Sequence, residues 1–150
     1  MNNQRSKPRI LTIDDTPANL QMLAAALARD FSIQIATSGA MGLELVAKSM
    51  PDLILLDVMM PEMDGHEVCR RLKAEPRTHG IPVIFLSALD DAHSESAGLA
   101  LGAADYISKP IDVEITRQRI YNLLEREQLR REVETKRDQY QQQVSELKET

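Results

Sequence analysis

Only one cysteine, Cys69, occurs in the chain, so no disulfide can close within it, and a reducing compartment is expected rather than a secreted one. No run approaches the roughly 18 apolar residues of a membrane span. The polar start Met1–Pro8 leads into no apolar signal core, which points to a cytoplasmic protein without a membrane partner. Tryptophan is absent, aromatic residues make up 3% of the sequence, and no basic stripe interrupts a net charge of −5. Direct nucleic-acid binding by this segment is therefore not expected. Glycine and proline are missing after Pro110, so a long C-terminal stretch carries no helix breaker. The 150 residues that remain to be explained are enough for one domain with a real core and a helical extension.

The apolar run Leu53-Ile54-Leu55-Leu56 is too short for a helix and apolar on both faces, as a central strand of a covered parallel sheet requires. It stops at Asp57, and a turn through Pro61 leads to a helix start at Met63-Asp64-Gly65. This order sets one carboxylate at the carboxyl edge of a sheet, where open α/β folds keep their sites.

Similar punctuation runs along the chain. Arg9–Ile13 reads as a strand, closed by Asp14-Asp15-Thr16-Pro17, and Leu20, Leu23 and Leu27 mark the helix that follows. Ile33-Gln34-Ile35 alternates as a strand does, and Ser38-Gly39 opens a helix containing Leu43 and Val46. Val68, Cys69 and Leu72 recur at helical spacing. Ile81–Leu86 is a further strand ended by Ser87, a helix is expected from about Asp90 to Leu101 with Gly102 as its cap, and 104–107 is the last strand before Ser108-Lys109-Pro110. Strands alternating with helices predict an α/β fold with a five-stranded, doubly wound parallel sheet, flavodoxin-like, and an extended C-terminal helix.

The last twenty-five residues hold six basic, six acidic and five apolar side chains, too few to pack this helix along its length. A helix over residues 112–149 would span ~57 Å. A heptad runs through Leu123, Arg126, Arg130, Val133, Arg137, Tyr140, Val144 and Leu147, but three of these seam positions are arginine. Two readings stay open: a solvated helix laced by charge pairs, or a marginal parallel coiled coil. Residues 1–8 are expected to be disordered, 9–126 to form the domain, and 127–150 to be a helical linker toward an output domain beyond Thr150.

Asp14 and Asp15, Asp57, Ser87 and Lys109 all sit at strand ends and converge on one sheet edge. Crowded carboxylates repel unless a cation sits among them, and a hard divalent ion such as Mg²⁺ suits oxygen ligands. Lys109 and the Ser87 hydroxyl would hold phosphoryl oxygens, and Asp57 would be the nucleophile. Each residue alone has an ordinary role: Asp14, Asp15 or Thr16 as helix caps, Asp57 as a turn acid, Lys109 as a surface charge, Ser87 as a strand-end hydroxyl. Their joint placement favours the site. His66, His79 and His93 share no metal-ligand spacing and are expected to be solvated.

From Arg9 to Arg126 the chain resembles the receiver domain of bacterial two-component response regulators. The matching residues are Asp14-Asp15, Leu55-Leu56-Asp57-Val58-Met59-Met60-Pro61, Met63-Asp64-Gly65, Ser87-Ala88, Gly102–Tyr106 and Lys109-Pro110. The resemblance implies that Asp57 accepts phosphate from a sensor histidine kinase or phosphotransfer protein with Mg²⁺. Asp15 and Asp57 would ligate the ion directly, Asp14 through water and Met59 through its backbone carbonyl. Ser87 and Lys109 would contact the phosphoryl group, and the Lys109–Pro110 peptide would be cis. Ser87 and Tyr106 would form a switch that alters the face of the fourth helix, last strand and last helix, and with it homodimer contacts there or along the C-terminal helix. The domain would be a regulatory phosphoacceptor rather than an enzyme, with weak self-phosphorylation and self-dephosphorylation only. Apolar Met59 and Leu89, two residues beyond the phosphoacceptor and the switch hydroxyl, are expected to prolong the phosphoryl lifetime.

Three alternatives explain less. A haloacid-dehalogenase-like phosphohydrolase carries a second Asp two residues after its nucleophile, where this chain has Met59. A nucleotide-binding module needs a P-loop or dinucleotide spacing, which Gly39-Ala40-Met41-Gly42 lacks. A receiver that no longer undergoes phosphorylation would not need Asp14, Asp15, Asp57 and Lys109 together.

Overall fold

The computed structural model describes residues 7–88 and 92–149. The first six residues of the expected disordered N-terminus, Leu89, the expected helix start at Asp90 and the terminal Thr150 lie outside the described residues.

Along the chain come β1 (Arg9–Ile13), α1 (Pro17–Leu27), β2 (Ser32–Ala36), α2 (Gly39–Lys48) and β3 (Leu53–Asp57). They are followed by α3 (Gly65–Ala74), β4 (Val83–Ser87), α4 (Ala92–Ala100), β5 (Asp105–Ser108) and α5 (Val113–Glu149). The strands form one five-stranded sheet in the order β2-β1-β3-β4-β5, and every neighbouring pair is parallel. Because the chain leaves β1 toward β2 and returns to β3 on the other side, the carboxyl ends of β1 and β3 flank a crevice at the topological switch point.

The pleat sends alternate side chains to opposite faces. Ile10, Leu53, Leu55, Ile84, Leu86 and Ile107 pack with Leu23 and Leu27 of α1 and Ile120 and Leu123 of α5. On the other face Leu11, Ile13, Ile54, Leu56, Val83 and Phe85 pack with Val46 of α2 and Val68, Cys69 and Leu72 of α3. All five residues of β3 are buried, as an apolar run with no polar alternation demands of a strand covered on both sides.

Helix starts follow local chemistry. Ser38 Oγ accepts from the Met41 amide at 3.1 Å, Asp64 Oδ1 from the Glu67 amide at 2.9 Å and Asp112 Oδ1 from the Ile115 amide at 3.1 Å. At α1 the cap position falls to Thr16, whose side chain makes no capping bond, and Pro17 needs no donor there. Gly102 takes φ 102° after α4, a conformation that favours glycine. β4 begins at Val83 rather than at the expected Ile81, since Pro82 has no N–H to offer a ladder.

One unbroken 37-residue helix forms α5. Its first turns are tied to the domain: Arg117 Nε donates to Asp30 Oδ2 at 2.8 Å, and Arg119 Nη1 donates to the Tyr106 carbonyl at 2.8 Å. Farther along, Leu129, Val133, Tyr140 and Leu147 are exposed, and Arg130 pairs with Glu127 and Glu134 on the helix's own surface. No described helix is long and apolar enough to cross a membrane.

Candidate functional site

Register brings the acids together. Ile13 pairs with Leu56, so the residues that follow, Asp14 on one strand end and Asp57 on the other, are neighbours across the crevice. Carboxylate oxygens of Asp14, Asp15 and Asp57 all lie within 4.8 Å of one another. Asp57 is 3% exposed and Asp14 fully buried, whereas Asp15 is exposed. The two Asp14 oxygens are already engaged: Oδ1 accepts from the Thr16 amide at 2.9 Å and Oδ2 from the Asn19 side-chain amide at 3.2 Å. Asp14 is thus fixed in place, while Asp15 is open to solvent.

The next strand ends supply the rest. Asp57 pairs with Leu86, which sets Ser87 one step farther along β4, and Ser87 pairs with Ser108, which sets Lys109 one step beyond β5. Lys109 Nζ reaches back and donates to Asp57 Oδ1 at 2.8 Å. Its own amide donates to the Ser87 carbonyl at 2.7 Å, and the Lys109–Pro110 peptide is cis. The buried Ser87 hydroxyl donates to the Ala88 carbonyl at 3.1 Å. Met59, two residues past Asp57, is 70% exposed.

Burial pushes the Asp57 carboxyl above its usual range, Lys109 opposes that shift, and the Asp14 and Asp15 charges add to it. One lysine does not cancel three crowded carboxylates. The donor set, all hard oxygens with one acid open to solvent, fits a divalent cation such as Mg²⁺.

The loop after β3 is shaped by backbone contacts. The Gly65 amide donates to the Val58 carbonyl at 2.8 Å, and a Cβ on Gly65 would stand 2.3 Å from the Asp57 carbonyl oxygen. Only glycine lets α3 start this close to the site. Glu62, at φ 67°, makes the tight turn before it.

For one histidine the structure corrects the sequence reading. His79 and His93 are exposed as expected, but His66 is half-buried and meets the Phe85 ring edge-on, with centroids 5.2 Å apart. Its ring Nε2 lies 3.4 Å from the Tyr106 hydroxyl. Metal-ligand spacing was the wrong signal for it, and its position next to a helix-starting glycine holds no clue to a partner forty residues away. Tyr106 itself is 8% exposed and packs on Phe85.

Residues 10–121 match the response regulator receiver domain family. The chain is 47% identical over 105 residues to the response regulator PleD of Caulobacter vibrioides, covering 69% of this chain and 23% of that protein. It is 40% identical over 120 residues to a Vibrio cholerae protein named a probable cyclic di-GMP phosphodiesterase, covering 80% of this chain and 27% of that one. With the DNA-binding dual master transcriptional regulator RpaA of Synechocystis it shares 42% over 120 residues, covering 79% and 50%. The chain thus spans between about a quarter and a half of these relatives. Among solved structures, the signal receiver domain of a histidine kinase from Syntrophus aciditrophicus superposes with a TM-score of 0.73 at 34% identity, covering 79% of this chain and 90% of that one. A response regulator receiver domain from Clostridium thermocellum gives 0.76 at 27%, covering 81% and 98%.

Proposed function

The chain belongs to the response regulator receiver family, a family of regulatory domains in phosphorylation-dependent signalling, and from that membership we propose that Asp57 is its phosphoacceptor. The observation that carries this reading is the 2.8 Å contact between Lys109 Nζ and Asp57 Oδ1 within a cluster of three carboxylates at the switch point of the sheet. A carboxylate oxygen of Asp57 forms an O–P bond as the N–P bond of a partner's phosphohistidine breaks, and that bond's electron pair stays on the imidazole nitrogen. Lys109 lies where it can follow the phosphoryl oxygens, and the Ser87 hydroxyl is one strand away.

Receiver domains bind Mg²⁺ at an acidic pocket. Here Asp15 and Asp57 would hold the ion directly, with the Met59 backbone carbonyl, and Asp14 through water, in keeping with its two occupied oxygens. Bound there, Mg²⁺ offsets the negative charge of an incoming phosphoryl group. The donor is a sensor histidine kinase or phosphotransfer protein, and the compartment is the cytoplasm.

Ser87 and Tyr106 form the switch, and its output is the α4-β5-α5 face together with pairing of α5 in a homodimer. Arg119 supports this route, since it joins α5 to both Asp105 and the Tyr106 carbonyl. We place the domain boundary near 126, with 127–150 as a linker whose exposed Val133, Tyr140 and Leu147 recur every seven residues. The segment is thus an input module, and any enzyme activity belongs to a larger protein. Sedimentation of the chain with and without residues 127–150 tests the dimer; an unchanged monomer contradicts it.

The phosphoacceptor is tested by incubation with a small phosphodonor and Mg²⁺, followed by a phosphate-affinity gel. A retarded band is expected for the wild type and none for Asp57→Asn. A shift that survives the substitution places the phosphoryl group elsewhere.

A further inference from the structure

Tyr106 of β5 sits in a socket assembled from three other elements. Its ring lies 5.3 Å from that of Phe85 on β4, and His66 at the start of α3 touches Phe85 edge-on while its Nε2 lies 3.4 Å from the tyrosine hydroxyl. The opposite wall is Gly98 of α4. A Cβ there would stand 2.8 Å from Tyr106 Cε2 and 2.9 Å from Phe85 Cδ2, so the socket exists only because residue 98 has no side chain. An inward-turned tyrosine removes its hydroxyl from water, and a buried hydroxyl without a partner is costly. Outside the socket the same group is hydrated. A polar group that faces it inside therefore adds weight to the inward position.

Resting on the reading of Tyr106 as the switch, we propose that His66 is a positioning residue for it, latching the tyrosine hydroxyl and setting how often the ring occupies the socket before any phosphoryl group is present. The latch belongs to the helix that begins one loop after Asp57, and Tyr106 precedes α5 through the carbonyl that Arg119 holds. His66 thus links the loop beside the phosphoacceptor to the face that carries the output. Gly98 supplies space, and His66 supplies a directional contact.

The test uses the full chain labelled with 3-fluorotyrosine, free of Mg²⁺ and phosphodonor, read by ¹⁹F NMR. Tyr106→Phe assigns the resonance, and broadening by a neutral soluble nitroxide reports exposure of the ring. Tyr121, packed on Phe31, serves as the internal reference for folding. His66→Leu keeps bulk against Phe85 but removes the ring nitrogen, and the exposed fraction of Tyr106 is expected to rise roughly fivefold, the population change for loss of one net hydrogen bond. His66→Gln retains a polar group and keeps the ring protected, whereas Gly98→Ala exposes it whatever stands at 66. Unchanged protection in His66→Leu overturns the proposal, as does equal loss in the leucine and glutamine variants. If His66→Leu also disturbs Tyr121, the comparison of His66→Gln with His66→Met, similar in size but apolar, decides: protection kept in the first and lost in the second supports the latch, and any other pair of results overturns it. The readout needs no phosphoryl transfer, so a failure of Asp57 to accept phosphate would leave this result standing.

Discussion

Lys109 Nζ stands 2.8 Å from Asp57 Oδ1 although 52 residues and one whole strand, β4, separate them. The pair is asymmetric in burial: the carboxylate is 4% exposed and the lysine 32%. The acid therefore carries most of the desolvation, and the cation stays free to follow charge that arrives at the site. Such a pair holds a buried carboxylate in place at some expense of stability.

That expense predicts the effect of neutralising Asp57. Its folded pKa is raised above the unfolded value near 3.8, so the native state binds more protons than the unfolded state above that pH, and stability falls as pH rises through the interval. Without Mg²⁺ at pH 7, Asp57→Asn should be more stable than the wild type, because it removes a carboxylate whose charged form burial disfavours. Urea denaturation should show this advantage shrinking as pH is lowered toward 3.8. A variant advantage that grows on acidification contradicts the sign.

Mg²⁺ should act in the opposite direction to the carboxylate repulsion. At a concentration about 100 times its Kd the ion should add ~2.7 kcal/mol of stability. Thermal denaturation should then move up by roughly 5–10 °C, and EDTA should reverse the shift. Asp15→Asn, which removes the solvent-facing acid, should weaken the response without unfolding the metal-free protein.

At Gly65 the obstacle is backbone, which cannot rotate away. A Cβ 2.3 Å from the Asp57 carbonyl oxygen and 3.0 Å from Val58 Cα forces the β3–α3 loop to move. Gly65→Ala should cost about 2–3 kcal/mol in urea denaturation and displace Asp57, so that any labelling of Asp57 by a small phosphodonor should slow.

Thr12 is fully buried in β1, and its hydroxyl has no hydrogen-bond partner among the described residues. Thr12→Val keeps the shape and removes the unpaired group. A gain of about 1 kcal/mol is expected, seen as a rise of roughly 2–4 °C in Tm.

The lifetime of the phosphoryl group tests Met59. Its exposed side chain, two residues past Asp57, offers no group that orients an attacking water, so decay slower than seconds is expected after removal of the phosphodonor. Met59→Glu should shorten that lifetime, measured by loss of the retarded band with time. Leu89, expected from sequence to act alongside it, lies outside the described residues.

The sequence by itself determined the fold class and which polar residues stand at its strand ends. A run such as Leu53–Leu56, apolar on both faces, has few stable positions other than the centre of a covered parallel sheet, and an acid that ends it must emerge at the carboxyl edge. Asp14, Asp15, Ser87 and Lys109 were legible because they follow strands, and strands announce their ends through local chemistry. Only the tertiary structure decided what these residues touch. The Lys109–Asp57 contact depends on the strand order β2-β1-β3-β4-β5 and on its register. The partnership of His66 with Tyr106 across forty residues depends on a helix with no side chain at Gly98, and no periodicity in the chain encodes it. Local propensity acts over a few neighbours, whereas a site is made of contacts between residues far apart in the chain, and only packing sets those distances.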